Sequence, residues 1–542
     1  MPERGMTRAQ QFLLPPSLDD WTAAAHPVRF VAALIDGVAD ADWRAMGIDP
    51  RPDPVGAPRY APAVLTSVWV WGFMSGIRSA RGLERACREQ IPVRWLTGNQ
   101  TPDHNTLWRF YQAHREGMRA LLTRSIRVAV AADLVDLALV AVDGTKLRAD
   151  AAAERSLTTA GLQALLDRTE RAIAALEAQN TGEAAGPPEL PAALRARGAV
   201  RDRVRAALAA DAVAQRGTGK TNLTDPDATM MKGRQGIAPA YNAQAAVAAT
   251  SAGAQALLGE AAPAGRFVVA ATVTPQANDL QELAPVLTEA VAQLGQAPDL
   301  TVADAGYHSA AALAQAATAG FAVVVAEPPR PGGPADPYAE TAFVHDATTD
   351  TLTCPAGQVL TFRRIAREAG RADRRLYQGG PAVCRACPAF GTCTRDARHG
   401  RVVRRPVDHP AVVAQRAVRA GPAGQAALRQ RRGLIEGMFG TVKTCLDGRR
   451  MHLRGMAAVR AEWALLATAV NLRTLHRIWS ALDAAGRTAL LAGGGTRPAT
   501  AHPYGIPHRH RLPEPASHPP RDAAPPSAPA YPASVFLGQA LK

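Results

Sequence analysis

Three acidic side chains have the types and settings for chemistry on phosphate esters. Asp143 and Asp304 each close an apolar run, LALVAVDG and LTVADAG. Such runs read as buried β-strands, and α/β sheets carry their chemistry where the strands stop. Glu436 lies in RQRRGLIEGMFGTVKTCL, residues 429–446. At roughly 100° per residue this stretch is an amphipathic helix. Leu434, Ile435, Met438, Phe439, Val442, Cys445 and Leu446 fill one side, and Arg429, Arg432, Glu436 and Lys443 share the other. Three such carboxylates can hold two magnesium or manganese ions about 3.5–4 Å apart, the arrangement that serves both oxygens of an in-line phosphoryl displacement. Plainer readings compete. A strand-end aspartate is also a turn residue or helix cap, and Glu436, four residues after Arg432, also makes an ordinary helix ion pair.

A second set of chemistry-bearing residues is Cys354, Cys384, Cys387 and Cys393, spaced C-x29-C-x2-C-x5-C. A close pair with two further cysteines in one short, loop-rich segment fits a tetrahedral structural zinc site, with His399 as a substitute ligand and four reduced structural thiols as the alternative. Cys87 and Cys445 fall on apolar helix faces and read as core. RGTGKT at 216–221 is not a phosphate loop: Ala214 stands where that motif needs glycine, and no strand precedes it.

The elements that must position these residues predict an α+β (mixed α/β) protein. Residues 1–130 read as an N-terminal helical domain, with helices around 27–46, 61–78, 81–92 and 104–130, the last starting at Pro102-Asp103, and Trp69, Trp71, Phe73, Trp95 and Trp108 as core. A domain over 131–480 follows, its first strand ending at Asp143. Residues 150–225 form an inserted antiparallel helical hairpin joined by NTGEAAGPPELP. YNAQAAVAAT and RFVVAATVT are two more strands, NDLQELAPVLTEAVAQLG a crossover helix starting at Asn278-Asp279, then LTVADAG, the helix AALAQAATAG and the strand FAVVVAEP. A cysteine-rich insertion spans 346–410. The Glu436 helix and a long helix from MHLRGM onward close the domain, and 481–542, rich in Gly, Pro, Ala and His, reads as a disordered tail.

Taken together, these stretches resemble the DDE transposases of bacterial insertion sequences, in the branch with a helical domain before the catalytic core and a cysteine-rich insertion within it. The last carboxylate of many such enzymes lies in a Tyr-x2-Arg-x3-Glu-x6-Lys signature. This chain has Arg432-x3-Glu436-x6-Lys443 in register and Arg429 in place of the tyrosine. YAPAVLTSVWVWGFMSGIRSARGLERACRE, RWLTGNQTPDHNTLWRF, NLTDPDATMMKGRQG and VTPQANDLQEL extend the likeness over residues from about 10 to 480. The resemblance implies a ribonuclease-H-like core that gathers Asp143, Asp304 and Glu436, which 160 and 131 intervening residues separate. It implies two magnesium or manganese ions on these three residues, cleavage at transposon ends, and attack of the freed 3′-hydroxyl on target DNA. Arg432, Lys443, Arg429 and Lys146 are then DNA-binding candidates, double-stranded DNA (transposon ends and target) is the partner, and a homodimer or larger assembly forms on it.

Composition agrees with a polyanionic partner. Sixty-two basic against 47 acidic residues give a net charge of +15 and a pI near 10.1. Only five cations are lysine, so the balance also reflects an Ala-, Arg-, Pro- and Gly-rich composition. No apolar run is long enough to span a bilayer, the N-terminus has no signal-peptide pattern, and six cysteines do not make a secreted disulfide scaffold. The expectation is a cytoplasmic bacterial protein, nucleoid-associated when bound to DNA. Two other functions remain open to test: a repurposed or inactive transposase that only binds specific DNA, and a metal-dependent nuclease without strand transfer.

Overall fold

The structure is a computed structural model that describes residues 17–51, 59–179, 192–214, 219–233, 236–259, 261–328, 337–346, 348–367, 373–406 and 410–492. The chain opens with helices α1 (Pro27–Asp36), α2 (Asp40–Ala45), α3 (Pro62–Ser75), α4 (Ala80–Glu89), α5 (Ile91–Leu96), α6 (His104–His114) and α7 (Ala120–Ala131). The expected helix at 81–92 is two, because Pro92 suits a first turn and the chain restarts there. Asp103 caps α6 as its position predicts, accepting from the backbone N–H groups of Asn105 (2.8 Å) and Thr106 (3.1 Å). The expected continuous helix to 130 breaks at Gly117, which packs so tightly on the Met46 carbonyl that no Cβ fits there. Trp69 and Phe73 are core as expected, but Trp108 is 40% exposed, since α6 buries Leu107 and Tyr111 instead.

The central sheet begins with β1 (Val135–Arg148). A ribbon of β2 (Ser156–Thr158) and β3 (Lys220–Asn222) then closes the base of the hairpin α8 (Thr159–Gln179) and α9 (Ala192–Ala214), which packs on itself around Leu162, Val204 and Ala207. The joining loop, 180–191, lies outside the described residues. Next come β4 (Thr229–Gly233), β5 (Gly236–Thr250), α10 (Ala252–Leu258), β6 (Arg266–Thr274), α11 (Leu283–Leu294), β7 (Thr301–Ala303), α12 (Ala310–Thr318) and β8 (Val323–Val325). β5 pairs antiparallel with β1 on one side and with β4 and β6 on the other, while β1, β7 and β8 run parallel. The strand order is therefore β6-β5-β1-β7-β8. Helix α11 starts at Leu283, not at Asn278-Asp279, because the Asp279 carboxylate is drawn to the sheet by Asn242 and Gln244.

The cysteine-rich insertion is a second sheet, β9 (Val344–Asp346), β10 (Thr351–Thr353), β11 (Val359–Ala366), β12 (Arg374–Gly379) and β13 (Val402–Pro406), ordered β13-β12-β11-β10-β9, with a short helix α13 (Pro381–Ala386). It has its own small core of Phe343, Leu352, Leu360, Tyr377 and Val403.

Helices α14 (Pro410–Ala420) and α15 (Pro422–Cys445) return the chain to the central sheet, and α16 (Met456–Ala481) follows. α16 is the hub of the molecule. It lies along the outer edge of β6, where Asn471 accepts from Val268 N–H (2.6 Å) and donates to Val268 C=O (2.9 Å), sealing a free sheet edge. It also packs on α3 and α7, so N-terminal helices and central sheet share one apolar core. Its N-terminus is held by two buried or half-buried carboxylates of the NLTDPD stretch. Asp225 accepts from Gly455 N–H (3.2 Å) and Tyr241 O–H (2.8 Å), and Asp227 from Met456 N–H (2.8 Å). Asp227→Ala should cost about 0.5–2 kcal/mol, the usual loss for a helix N-terminal acceptor, read as a lower urea midpoint; an unchanged midpoint would contradict this role.

The disordered tail expected from 481 is corrected by a further helix, α17 (Ala484–Ala492), which buries Leu490 and stacks Arg487 over Trp479 at 4.3 Å. Residues 493–542 lie outside the described residues. Among the described residues, no helix is long and apolar enough to cross a membrane.

Candidate active site

β1 and β7 are neighbours in parallel, with Val140 beside Thr301, Ala141 beside Val302 and Val142 beside Ala303. The next residue on each chain is an aspartate. Asp304 follows the end of β7, but Asp143 does not end its strand as expected: β1 runs on to Arg148 because β5 stays paired with it. Asp143 stands where the pairing with β7 stops, so the two aspartates sit at the same level, where the backbones are about 4.8 Å apart. Burial pushes the Asp143 carboxyl up to about 6; the Asp304 charge adds to the rise, and Arg431 and the Gly144 N–H oppose it. Asp304 accepts from Gly306 N–H at 2.8 Å.

A third carboxylate stands beside this pair, and it is Asp279. Its Oδ1 accepts from Asn242 Nδ2 (2.7 Å) and Gln244 Nε2 (2.6 Å), both side chains buried on β5. Tyr307, fully buried, donates to Gln244 Oε1. Burial raises the Tyr307 hydroxyl well above its ordinary range, with Asp279, Asp143, Asp304 and Glu282 adding to it. The two glycines after the aspartates make this crowding possible. A Cβ on Gly144 would meet Gln244 and lie 2.6 Å from Asp279 Oδ1, and one on Gly306 would lie 2.9 Å from Asp304 Oδ1. A side chain at either position would push these polar groups out of place.

Helix α15 lies over the Asp143 face of β1 and buries Ile435, Met438, Phe439 and Val442. Arg431 reaches Asp143 Oδ2 at 3.0 Å, and Lys443 Nζ reaches Thr145 Oγ1 at 2.6 Å, two residues along the same face. Arg431 was not singled out in the sequence. Its signal was its register: Arg431, Ile435, Met438 and Val442 share one stripe, so Arg431 heads the buried face.

Glu436 does not join the aspartates. Its side chain is 65% exposed and pairs with Arg432 at 2.8 Å, the i,i+4 contact that competed in the sequence. Arg429 is exposed on the same helix. Lys146 is exposed too, but strand alternation turns it to the face of β1 opposite Asp143 and Thr145. Among the described residues, no three His, Cys, Asp or Glu side chains are grouped to hold a metal ion as they stand. The Asp143–Asp304 pair nevertheless has the chemistry of a divalent-cation site: two hard oxygen donors, one half-buried with a raised pKa, and a guanidinium occupying the place of a cation.

In the insertion, Cys354, Cys384, Cys387 and Cys393 line one partly open cavity with Leu360, Gly379 and Phe390. All four are free thiols. Backbone N–H groups point at two of the sulfurs, Gln358 to Cys354 Sγ (3.2 Å) and Arg401 to Cys384 Sγ (3.4 Å). Burial raises the Cys393 thiol, Arg401 lowers it, and the three other cysteines raise it further. His399 is instead bound to Asp396 at 3.0 Å. Cys87 is fully buried, with its thiol pushed up to about 11 by burial, whereas Cys445 is exposed where α15 ends and is not core.

A central sheet with two aspartates side by side on β1 and after β7, under a basic helix, defines a candidate nucleic-acid-processing enzyme, and two family models agree. One, a Transposase DDE domain, matches residues 353–476, covering most of the cysteine-rich sheet, α15 with Glu436, and most of α16. The other, a Transposase domain (DUF772), matches residues 16–113, the helices α1 to α6. The two matches support an insertion-sequence DDE transposase, a family that acts on DNA and generally uses divalent metal ions. No curated protein and no solved structure matches it.

Proposed function

We propose that the chain cuts DNA at the ends of its own insertion sequence and joins the freed 3′ ends to target DNA, with Asp143, Asp304 and Glu436 as the metal-binding triad. The observation that carries this reading is the side-by-side placement of Asp143 and Asp304 on parallel strands. The order β6-β5-β1-β7-β8, three antiparallel strands followed by two parallel to the first, supports a ribonuclease-H-like core. Two magnesium or manganese ions, when bound, supply water activation at the scissile phosphate and stabilisation of the departing 3′ oxygen. The chain does the rest. Asp143 and Asp304 present their carboxylates from a rigid sheet, Asp279 is held behind them by Asn242 and Gln244, and Arg431 neutralises Asp143 in the free protein. Glu436, 65% exposed on α15 and paired with Arg432 in the free protein, would be the third carboxylate to hold the metal ions. Lys443, steadied by Thr145, and Arg432 and Arg429 hold DNA phosphates; Lys146 serves DNA on the other face of β1. The protein works on double-stranded DNA as a homodimer or larger assembly, in the cytoplasm.

The test is cleavage of a supercoiled plasmid carrying the element's ends, with magnesium, manganese or chelator. The wild type should make metal-dependent cuts at the ends and join them to a target plasmid. Glu436→Gln should lose cutting by on the order of 10³-fold while binding the ends as before. Cutting without joining would make the protein a nuclease. End binding with no cutting in either metal would favour a repurposed binder, the reading that the outward Glu436 and the Arg431–Asp143 pair favour.

The same proposal includes a structural zinc ion on Cys354, Cys384, Cys387 and Cys393, since the sulfurs share a cavity, receive backbone N–H groups and staple a sheet whose core has five buried residues. Purified protein should carry about one zinc per chain by elemental analysis, and Cys384→Ser should lose the zinc and make the insertion the first site of proteolysis. Metal-free wild type with the same protease resistance would refute it.

A further inference from the structure

Strands β11, β12 and β13 carry six arginines, Arg363, Arg364, Arg374, Arg375, Arg404 and Arg405, and no acidic residue. Their two faces treat these charges differently. On the inner face Phe362, Tyr377 and Val403 are cross-strand neighbours and form the core of the insertion. Arg375 belongs to that face and is satisfied there: it pairs with Asp350 and lies over the Phe362 ring at 4.4 Å.

The opposite face has no such provision. Leu376 sits one residue before Tyr377 and so points outward, and its neighbours are Arg364 on one side and Arg404 on the other. Arg374 follows on the same face of β12, and Arg363 sits in the bulge between Phe362 and Arg364. All four of these arginines are exposed, and among the described residues none has an acidic partner. Arg364 and Arg404, two strands apart, stand about 10 Å from each other. Like charges across neighbouring strands destabilise a sheet, and solvated faces ordinarily interleave both signs.

We infer that the outer face of β11, β12 and β13 is a docking surface for the phosphate backbone of double-stranded DNA, contacting it through Arg364, Arg374 and Arg404 at a distance in sequence from the carboxylate site. This rests on the reading of the chain as a DNA-processing protein. Arginine suits the role because its planar fork grips phosphate oxygens in pairs. The contact is sequence-independent: it adds affinity and orientation, and leaves recognition of the ends to other surfaces.

The test uses the full chain and the variant R364S/R374S/R404S, with a labelled duplex of the element's end and an unrelated duplex. Affinity is measured by anisotropy between about 50 and 200 mM salt. Each lost phosphate contact lowers the slope of log K against log salt by about 0.9, so the triple variant should lose between two and three units of slope and bind both duplexes 10- to 100-fold more weakly. Its melting temperature should be equal or higher, because repulsion is removed, and R364K/R374K/R404K should keep the wild-type slope. A triple-serine slope equal to the wild type, in protein that binds and cuts its ends, overturns this surface alone. A wild type that binds neither duplex overturns the surface together with the function it rests on.

Discussion

Exchange of Asp143 for asparagine is expected to abolish cleavage of element ends, by on the order of 10³-fold or more, and at the same time to make the metal-free protein more stable near neutral pH. The two effects have one cause. Asp143 is half-buried beside Asp304, and its carboxyl titrates at about 6 in the folded chain, against about 4 in an unfolded one. The folded state therefore keeps a proton that the unfolded state has released between these values, and stability falls as pH rises from about 4 to 6. Above that window the whole penalty is in place. A carboxyl moved from about 4 to about 6, the contact with Arg431 included, carries a penalty of roughly 3 kcal/mol, so Asp143→Asn should gain about 1–3 kcal/mol at pH 7.5. Melting curves across pH check the sign: the gap between variant and wild type should open from pH 4 to 6 and then stay level. Magnesium should raise the melting temperature of the wild type and not of the variant. A variant that melts with the wild type at every pH would mean that Asp143 is not held in conflict in the folded chain.

The sequence disclosed those parts of this site that have a local signature. Asp143 and Asp304 stood out because each ends an apolar run, and the parallel pairing of β1 and β7 puts these run-ends side by side. The helical hairpin and the stripe of α15 followed from periodicity for the same reason. Asp279 did not stand out as a site residue, since what matters about it is which strand it faces, and only the sheet order decides that; for Arg431 the register with Ile435, Met438 and Val442 gave the face but not the partner. Glu436 shows the limit from the other direction. Its spacing to Arg432 and Lys443 admitted both an ion pair and a metal ligand, and in the metal-free chain the ion pair is what forms. The helix α17 was hidden by composition, because Leu490 and Arg487 anchor nine residues that precede a Gly- and Pro-rich stretch.

Glu462→Ala is expected to cost about 3–5 kcal/mol. In sequence Glu462 is one acid in a run of alanines, leucines and tryptophan, an apolar setting that implies a buried partner. That partner is Arg78, just after α3, and both side chains are almost completely buried, at 1% and 2% exposure. The carboxylate also accepts from the backbone N–H groups of His452 (2.9 Å) and Leu453 (3.1 Å), while Arg78 donates to the carbonyls of Asp447 and, at 3.0 Å, Arg450. One ion pair thus fastens the N-terminal helices to the turn that connects the Glu436 helix to α16. Alanine at 462 leaves the guanidinium inside the protein with no counter-charge and strips two N–H groups of their acceptor. The desolvation of both charges is the reason the pair itself is only marginally favourable, so removing both should be far milder than removing one. Arg78→Met combined with Glu462→Met should recover most of the stability lost by Glu462→Ala, with the urea midpoint as the readout. If the single variant unfolds at the wild-type midpoint, water reaches this pair and the N-terminal helices are fastened elsewhere. If instead it unfolds early and loses end cleavage while the double variant keeps both, the placement of α15 over the aspartates depends on this junction being closed and not on its charge.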